Sequence, residues 1–147
     1  MDLFLAGCQG LGLGLAAGAL GGSLGVRDVP GTALALAAGV AGAVLYGASL
    51  TPEDHPAWPG WVAGGLVALL SYVVIRDIAL GARARAGEGG AGGVSAFLVL
   101  YALALAGLSL LGPAAMVSLL AFAGTLWLYA GRRRKAAEKH AGLRSLR

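Results

Sequence analysis

A glycine at every fourth position marks the first apolar stretch of this chain. Gly10, Gly14, Gly18 and Gly22 share one face of a helix, and no charge interrupts residues 8–25. Such a helix would be weak in water, because each interior glycine costs about 0.5–1 kcal/mol relative to alanine. In a bilayer the backbone must satisfy its own hydrogen bonds, and small residues let a second helix approach closely. The stretch is therefore predicted to be a membrane-spanning helix that packs tightly against another helix.

Composition favours the same class of protein. Of 147 residues, 58% are hydrophobic and 12% are charged, whereas a soluble domain carries about 25% charged residues. The net charge of +4 does not predict a nucleic-acid partner, because the basic residues stand at the ends of apolar segments. The single cysteine, Cys8, excludes an intrachain disulfide.

Five apolar segments predict an all-α, integral membrane bundle of five transmembrane helices. The spans fall at about residues 3–24, 31–50, 61–82, 94–111 and 114–130, followed by a basic cytoplasmic tail at 132–147. Residues 83–93 are predicted to form a flexible basic linker. All eleven Lys and Arg residues then lie on one side. The positive-inside rule places the N-terminus outside and the C-terminus in the cytoplasm, as in a multi-pass protein of a bacterial inner membrane.

The second segment repeats the spacing of small residues. Ala35, Gly39, Ala43 and Gly47 lie four positions apart. Two successive small-residue faces predict either a tight hairpin of the first two helices or contact with another subunit. We expect a homo-oligomer, with a different membrane protein as the alternative partner.

Three adjacent polar residues, Glu53, Asp54 and His55, suggest a metal or acid–base site in the loop at 51–60. The favoured alternative is a helix start, with Thr51 as the N-cap and Pro52 at the first helical position. A metal site would need further ligands, so the sequence predicts no metal, no cofactor and no enzyme activity.

The remaining candidate binding residues are Gln9, Arg76 and Asp77. Gln9 either bonds to a neighbouring helix or lines a path. Arg76 either extends to the headgroup surface or points into the bundle to pair with Asp77 or a ligand anion. The basic tail is expected to meet anionic lipid of the inner leaflet or to dock a partner protein.

Three short stretches resemble a known family. Residues 8–18 (CQGLGLGLAAG), 54–60 (DHPAWPG) and 138–147 (EKHAGLRSLR) are similar to small bacterial membrane proteins grouped as domain of unknown function 4126. The resemblance implies a multi-span membrane protein of unassigned activity and supplies no catalytic residues.

The leading functional expectation is a small oligomeric channel or transporter for a small solute or ion, because glycine-striped helices line some bacterial channels. The polar lining would have to come from Gln9, Ser49, Ser71, Tyr72, Ser109, Ser118 and Thr125. The alternative is a non-catalytic accessory or scaffold subunit that packs against a larger membrane partner, since small-residue faces serve that role equally well.

Overall fold

The computed structural model describes residues 2–23, 31–50, 56 and 58–144. The elements are α1 (Asp2–Ser23), α2 (Gly31–Leu50), α3 (Trp58–Leu110), a 3-10 turn (Gly112–Ala114) and α4 (Ala115–Arg144). The all-α prediction is confirmed for this part of the chain. The helix α4 also continues across the boundary expected at residue 131, between membrane domain and tail.

The prediction of a five-span transmembrane bundle is wrong. The described residues form four α-helices, of which two, Trp58–Leu110 and Ala115–Lys139, are long and apolar enough to cross a membrane. The third and fourth predicted spans belong to one helix, because the expected linker at 83–93 is helical apart from Gly87. Without five alternating spans, the assignment of the N-terminus to the outside also loses its basis.

Gly87 alone makes the bend within α3. Its φ of 69° is the only positive value among the described glycines, and glycine adopts that conformation without steric cost. The neighbouring Ala84, Ala86 and Ala91 are good helix formers. A single residue therefore turns the chain where the sequence had suggested an eleven-residue loop.

The bend folds α3 back on itself into a first arm (residues 58–86) and a second arm (residues 88–110). Ile75 and Ala79 from the first arm share a buried cluster with Leu98 and Ala102 from the second. Ala16 and Ala19 of α1 complete the cluster from a third side. The core of the molecule therefore lies where α1 and the two arms of α3 meet, and its alanines allow the three helical segments to approach one another closely.

The outer surface of the long helices is apolar. Only 22% of the apolar window in α3 and 17% of that in α4 is buried, whereas a core helix of a soluble protein would be mostly buried. Large hydrophobic side chains such as Leu66, Phe97, Leu120 and Trp127 are more than 60% exposed. An exposed apolar surface of this extent suggests that the chain associates with a membrane.

Candidate functional site

The glycine face of α1 lies against the first arm of α3. The three glycines in closest contact are Gly14, Gly18 and Gly22, and their counterparts on α3 are Gly64, Ala68 and Tyr72, in that order. A Cβ atom at Gly14 would lie 3.2 Å from the Gly64 carbonyl oxygen, and one at Gly22 would lie 2.8 Å from the Tyr72 carbonyl oxygen. At Gly18 an added Cβ would collide with the Ala68 carbonyl. The two backbones are therefore in contact, and Gly10 is buried on the same helix.

The small residues of α2 also meet α3. Gly47 is buried beside the Trp61 indole, and half-buried Gly39 lies next to Leu69. Ala35 and Ala43 are half-buried. The first arm of α3 thus receives small residues from both α1 and α2.

Gly42 was not among the predicted packing residues, although its backbone lies against Gly64. A Cβ atom at Gly42 would lie 2.6 Å from the Gly64 carbonyl oxygen and 2.5 Å from the Ala68 Cβ. Gly42 falls outside the four-residue spacing that guided the prediction. Its three-residue separation from Gly39 would have placed both on one side of the helix.

Three buried serines hold the helices together. Ser71 donates a hydrogen bond to the Leu15 carbonyl of α1 at 2.8 Å. Ser109 and Ser118, on the second arm of α3 and on α4, lie 3.1 Å apart through their hydroxyl oxygens. Each of these two oxygens also lies within hydrogen-bond distance of a carbonyl of its own helix. Since a hydroxyl has one proton, the two serines are hydrogen-bonded to each other when one of them donates to its partner and not to that carbonyl. All three side chains have 0% exposure, so they are sealed inside the helix interfaces and do not face an open path.

Gly12 completes the contact between the serine pair and α1. A Cβ atom there would lie 2.8 Å from the Ser118 hydroxyl oxygen and would collide with that of Ser109. The absence of a side chain at Gly12 leaves room for the two hydroxyls. Gly12 thus marks the point where α1, α3 and α4 meet.

Asp77 links α3 to the basic end of α4. Its Oδ2 accepts a hydrogen bond from the Tyr129 hydroxyl at 2.5 Å and one from Arg133 Nη2 at 2.9 Å. The Arg133 guanidinium also lies over the Tyr129 ring, 5.2 Å from its centre. The negative charge of Asp77 is therefore balanced by Arg133, and the three side chains fix the axial position of α4 relative to α3.

Arg76 does not pair with Asp77. Its guanidinium lies 5.9 Å from the centre of the Tyr72 ring, in the geometry of a cation–π contact, and the residue is exposed. The two adjacent residues therefore do different things, since Asp77 binds α4 while Arg76 remains at the surface.

Arg83 connects the C-terminus of α1 to both arms of α3. Its Nη2 donates to the Ser23 carbonyl and to the Ser95 hydroxyl, both at 2.8 Å. A cation at a helix C-terminus also interacts favourably with the helix dipole. No sequence pattern indicates this role, because Arg83 lies in a stretch that resembles a basic linker.

The other candidate binding residues contribute less. Gln9 is half-buried on α1. Glu53, Asp54 and His55 lie outside the described residues. Within residues 2–23, 31–50, 56 and 58–144, no three His, Cys, Asp or Glu side chains lie close enough to hold a metal ion.

Fold and contacts together define a small helical protein with two apolar candidate spans, narrow small-residue interfaces and a basic end. No protein-family model matches the sequence, and no significant match was found among curated proteins or solved structures. The resemblance to the family of domain of unknown function 4126 therefore stays a prediction.

Proposed function

We propose that this chain is a non-catalytic accessory or scaffold subunit of a bacterial inner membrane, and that it acts by packing against another membrane protein. The basic end would face the cytoplasm. The observation that carries the proposal is the sealing of Ser71, Ser109 and Ser118 between helices. These hydroxyls stabilise the fold and leave little polar surface to line a path through a single copy.

The outer surface supports a packing role. Gly107 on α3 and Gly124 on α4 are exposed, and an added Cβ atom at either position would meet nothing within 4 Å. Glycines that serve no contact inside the chain leave shallow places where a second helix can approach. Leu103, Leu120 and Leu128 surround them with exposed apolar side chains.

The test is the composition of the complex purified from its own membranes in mild detergent, measured by native mass spectrometry. We expect a fixed stoichiometry with a second polypeptide. Gly124→Leu should abolish that complex and leave the helix content of the chain unchanged, because the site is open in the isolated chain. Gly93→Leu is the matched control, because it makes the same substitution at another exposed, open glycine that lies outside this leucine surface. Recovery of the chain alone, or a complex indifferent to Gly124→Leu, would contradict the proposal.

A channel or transporter stays the second candidate. Its pathway would have to run between copies of the chain, since Ser71, Ser109 and Ser118, three of the residues expected to line it, are buried within one copy. The open glycines at 107 and 124 favour such self-association as well. A homo-oligomer in the same mass measurement, together with solute or ion flux in reconstituted vesicles, would select this candidate over the accessory role.

A further inference from the structure

The basic tail begins as a stiff extension of α4. The helix runs without interruption from Ala115 to Arg144, so residues 131–144 continue the axis of the apolar part. The Asp77–Tyr129–Arg133 contacts hold this helix against α3 just before the extension starts. The positions of the first basic side chains are therefore set by the fold.

Positive charge is concentrated in the first turn of that extension. Arg132, Arg134 and Lys135 are exposed, and Arg133 is the residue that balances Asp77. One turn further along the helix, Glu138 lies four positions after Arg134 and three after Lys135, so it offsets part of their charge. Arg76, exposed on α3 next to Asp77, adds a fourth cation at the same level. We call Arg76, Arg132, Arg134 and Lys135 the basic collar.

The collar lies where a membrane surface would be. From Ala115 to Arg132 the helix contains 18 residues, which at 1.5 Å per residue is about 27 Å, close to the thickness of a bilayer core of about 30 Å. Lys139 lies about 10 Å further along the axis than Arg132. That separation exceeds the screening length of about 8 Å at physiological ionic strength, so Lys139 experiences a weaker surface potential than Arg132, and Lys135, about 6 Å before Lys139, experiences an intermediate one.

We propose that the basic collar binds the anionic phosphate headgroups of phosphoglyceride lipid. The inference rests on the proposed membrane residence and adds a lipid preference to it. Charge complementarity identifies the ligand, since guanidinium groups bind phosphate oxygens through paired hydrogen bonds. The Asp77 carboxylate is already paired with Arg133, so its charge is not available to neutralise the collar.

The experiment compares the retention of phosphatidylglycerol and phosphatidylcholine with identical acyl chains on the full chain in mild detergent, by native mass spectrometry. The wild type should retain the anionic lipid preferentially. R132Q/R134Q/K135Q should lower that preference by up to about fivefold for each charge removed, with the largest effect from Arg132, which is nearest the surface. K139Q, the matched control on the same helix, should lower it less than twofold. R132K/R134K keeps the charges and should retain the preference for phosphatidylglycerol over phosphatidylcholine.

Two results would overturn the assignment. Equal retention of the two lipids by the wild type would exclude the lipid headgroup and leave an acidic protein surface as the occupant. Equal losses of the preference for phosphatidylglycerol in K139Q and in R132Q/R134Q/K135Q would show that a positive charge anywhere along the tail is sufficient for lipid binding. Alkaline extraction of membranes distinguishes failure of the lipid-binding proposal from failure of the proposed function. A chain that alkali releases is not embedded in the membrane, which contradicts the proposed function; a chain that stays in the membrane but shows no lipid preference contradicts lipid binding alone.

Discussion

Replacing Gly18 by alanine tests whether contact between the backbones of α1 and α3 holds the molecule together. The new Cβ atom would collide with the Ala68 carbonyl oxygen and would lie 2.8 Å from both the Ala68 carbonyl carbon and the Ser71 Cβ. These neighbours are backbone and a short side chain, so neither can rotate away, and the two helices must separate. Overpacking of this kind costs about 1–3 kcal/mol.

The same displacement strains the hydrogen bond that Ser71 donates to the Leu15 carbonyl. Interhelical hydrogen bonds in membranes contribute about 0.6 kcal/mol on average. We therefore expect the free energy of unfolding of Gly18→Ala to be about 1.6–3.6 kcal/mol lower than that of Gly124→Ala, since the gain in helix propensity is common to both substitutions. The measurement is reversible unfolding in mixed detergent micelles, followed by circular dichroism.

Gly124→Ala is the matched control, because the substitution is chemically identical but nothing lies within 4 Å of the added atom. It should be neutral or should raise the free energy of unfolding by up to about 1 kcal/mol through helix propensity. A Gly18→Ala variant as stable as Gly124→Ala would refute the close approach of α1 and α3.

Three further substitutions test the polar contacts. Tyr129→Phe removes one donor to Asp77 and should lower the free energy of unfolding by about 1 kcal/mol, and an unchanged unfolding midpoint would count against the contact. Arg83→Gln should speed amide hydrogen exchange in the last turn of α1, because Ser23 loses its cationic partner; exchange rates equal to the wild type would speak against this link. Ser71→Ala should cost about 0.6–1 kcal/mol in the same unfolding assay, and no loss would mean that the hydroxyl is satisfied within its own helix.

The apolar pattern was sufficient to predict helices but not to predict how they are divided. Helices α1 and α2 occupy almost the residues expected for the first two segments. The third and fourth segments could not be divided correctly, because a glycine-rich basic stretch is equally compatible with a loop and with a helix bent at one residue. Only the backbone conformation of Gly87 separates these alternatives.

Part of the candidate site was visible in the sequence and part was not. Asp77 was recognised as a charge near the end of a helix, but its partners Tyr129 and Arg133 lie 52 and 56 positions away. In the sequence, Arg133 is one of several cations in the basic tail at 132–147. No local spacing identifies which of four consecutive basic residues turns toward α3.

What the sequence determined by itself is the helical class, the apolar surface and the basic end, because these follow from local hydrophobicity and charge. Tertiary structure alone decided that the glycines of α1 meet α3, that Ser71, Ser109 and Ser118 are buried between helices and that Asp77 joins α4. The physical reason is that a small-residue face specifies how closely a partner can approach and does not specify which partner. That choice depends on the bend at Gly87, which places both arms of α3 beside α1.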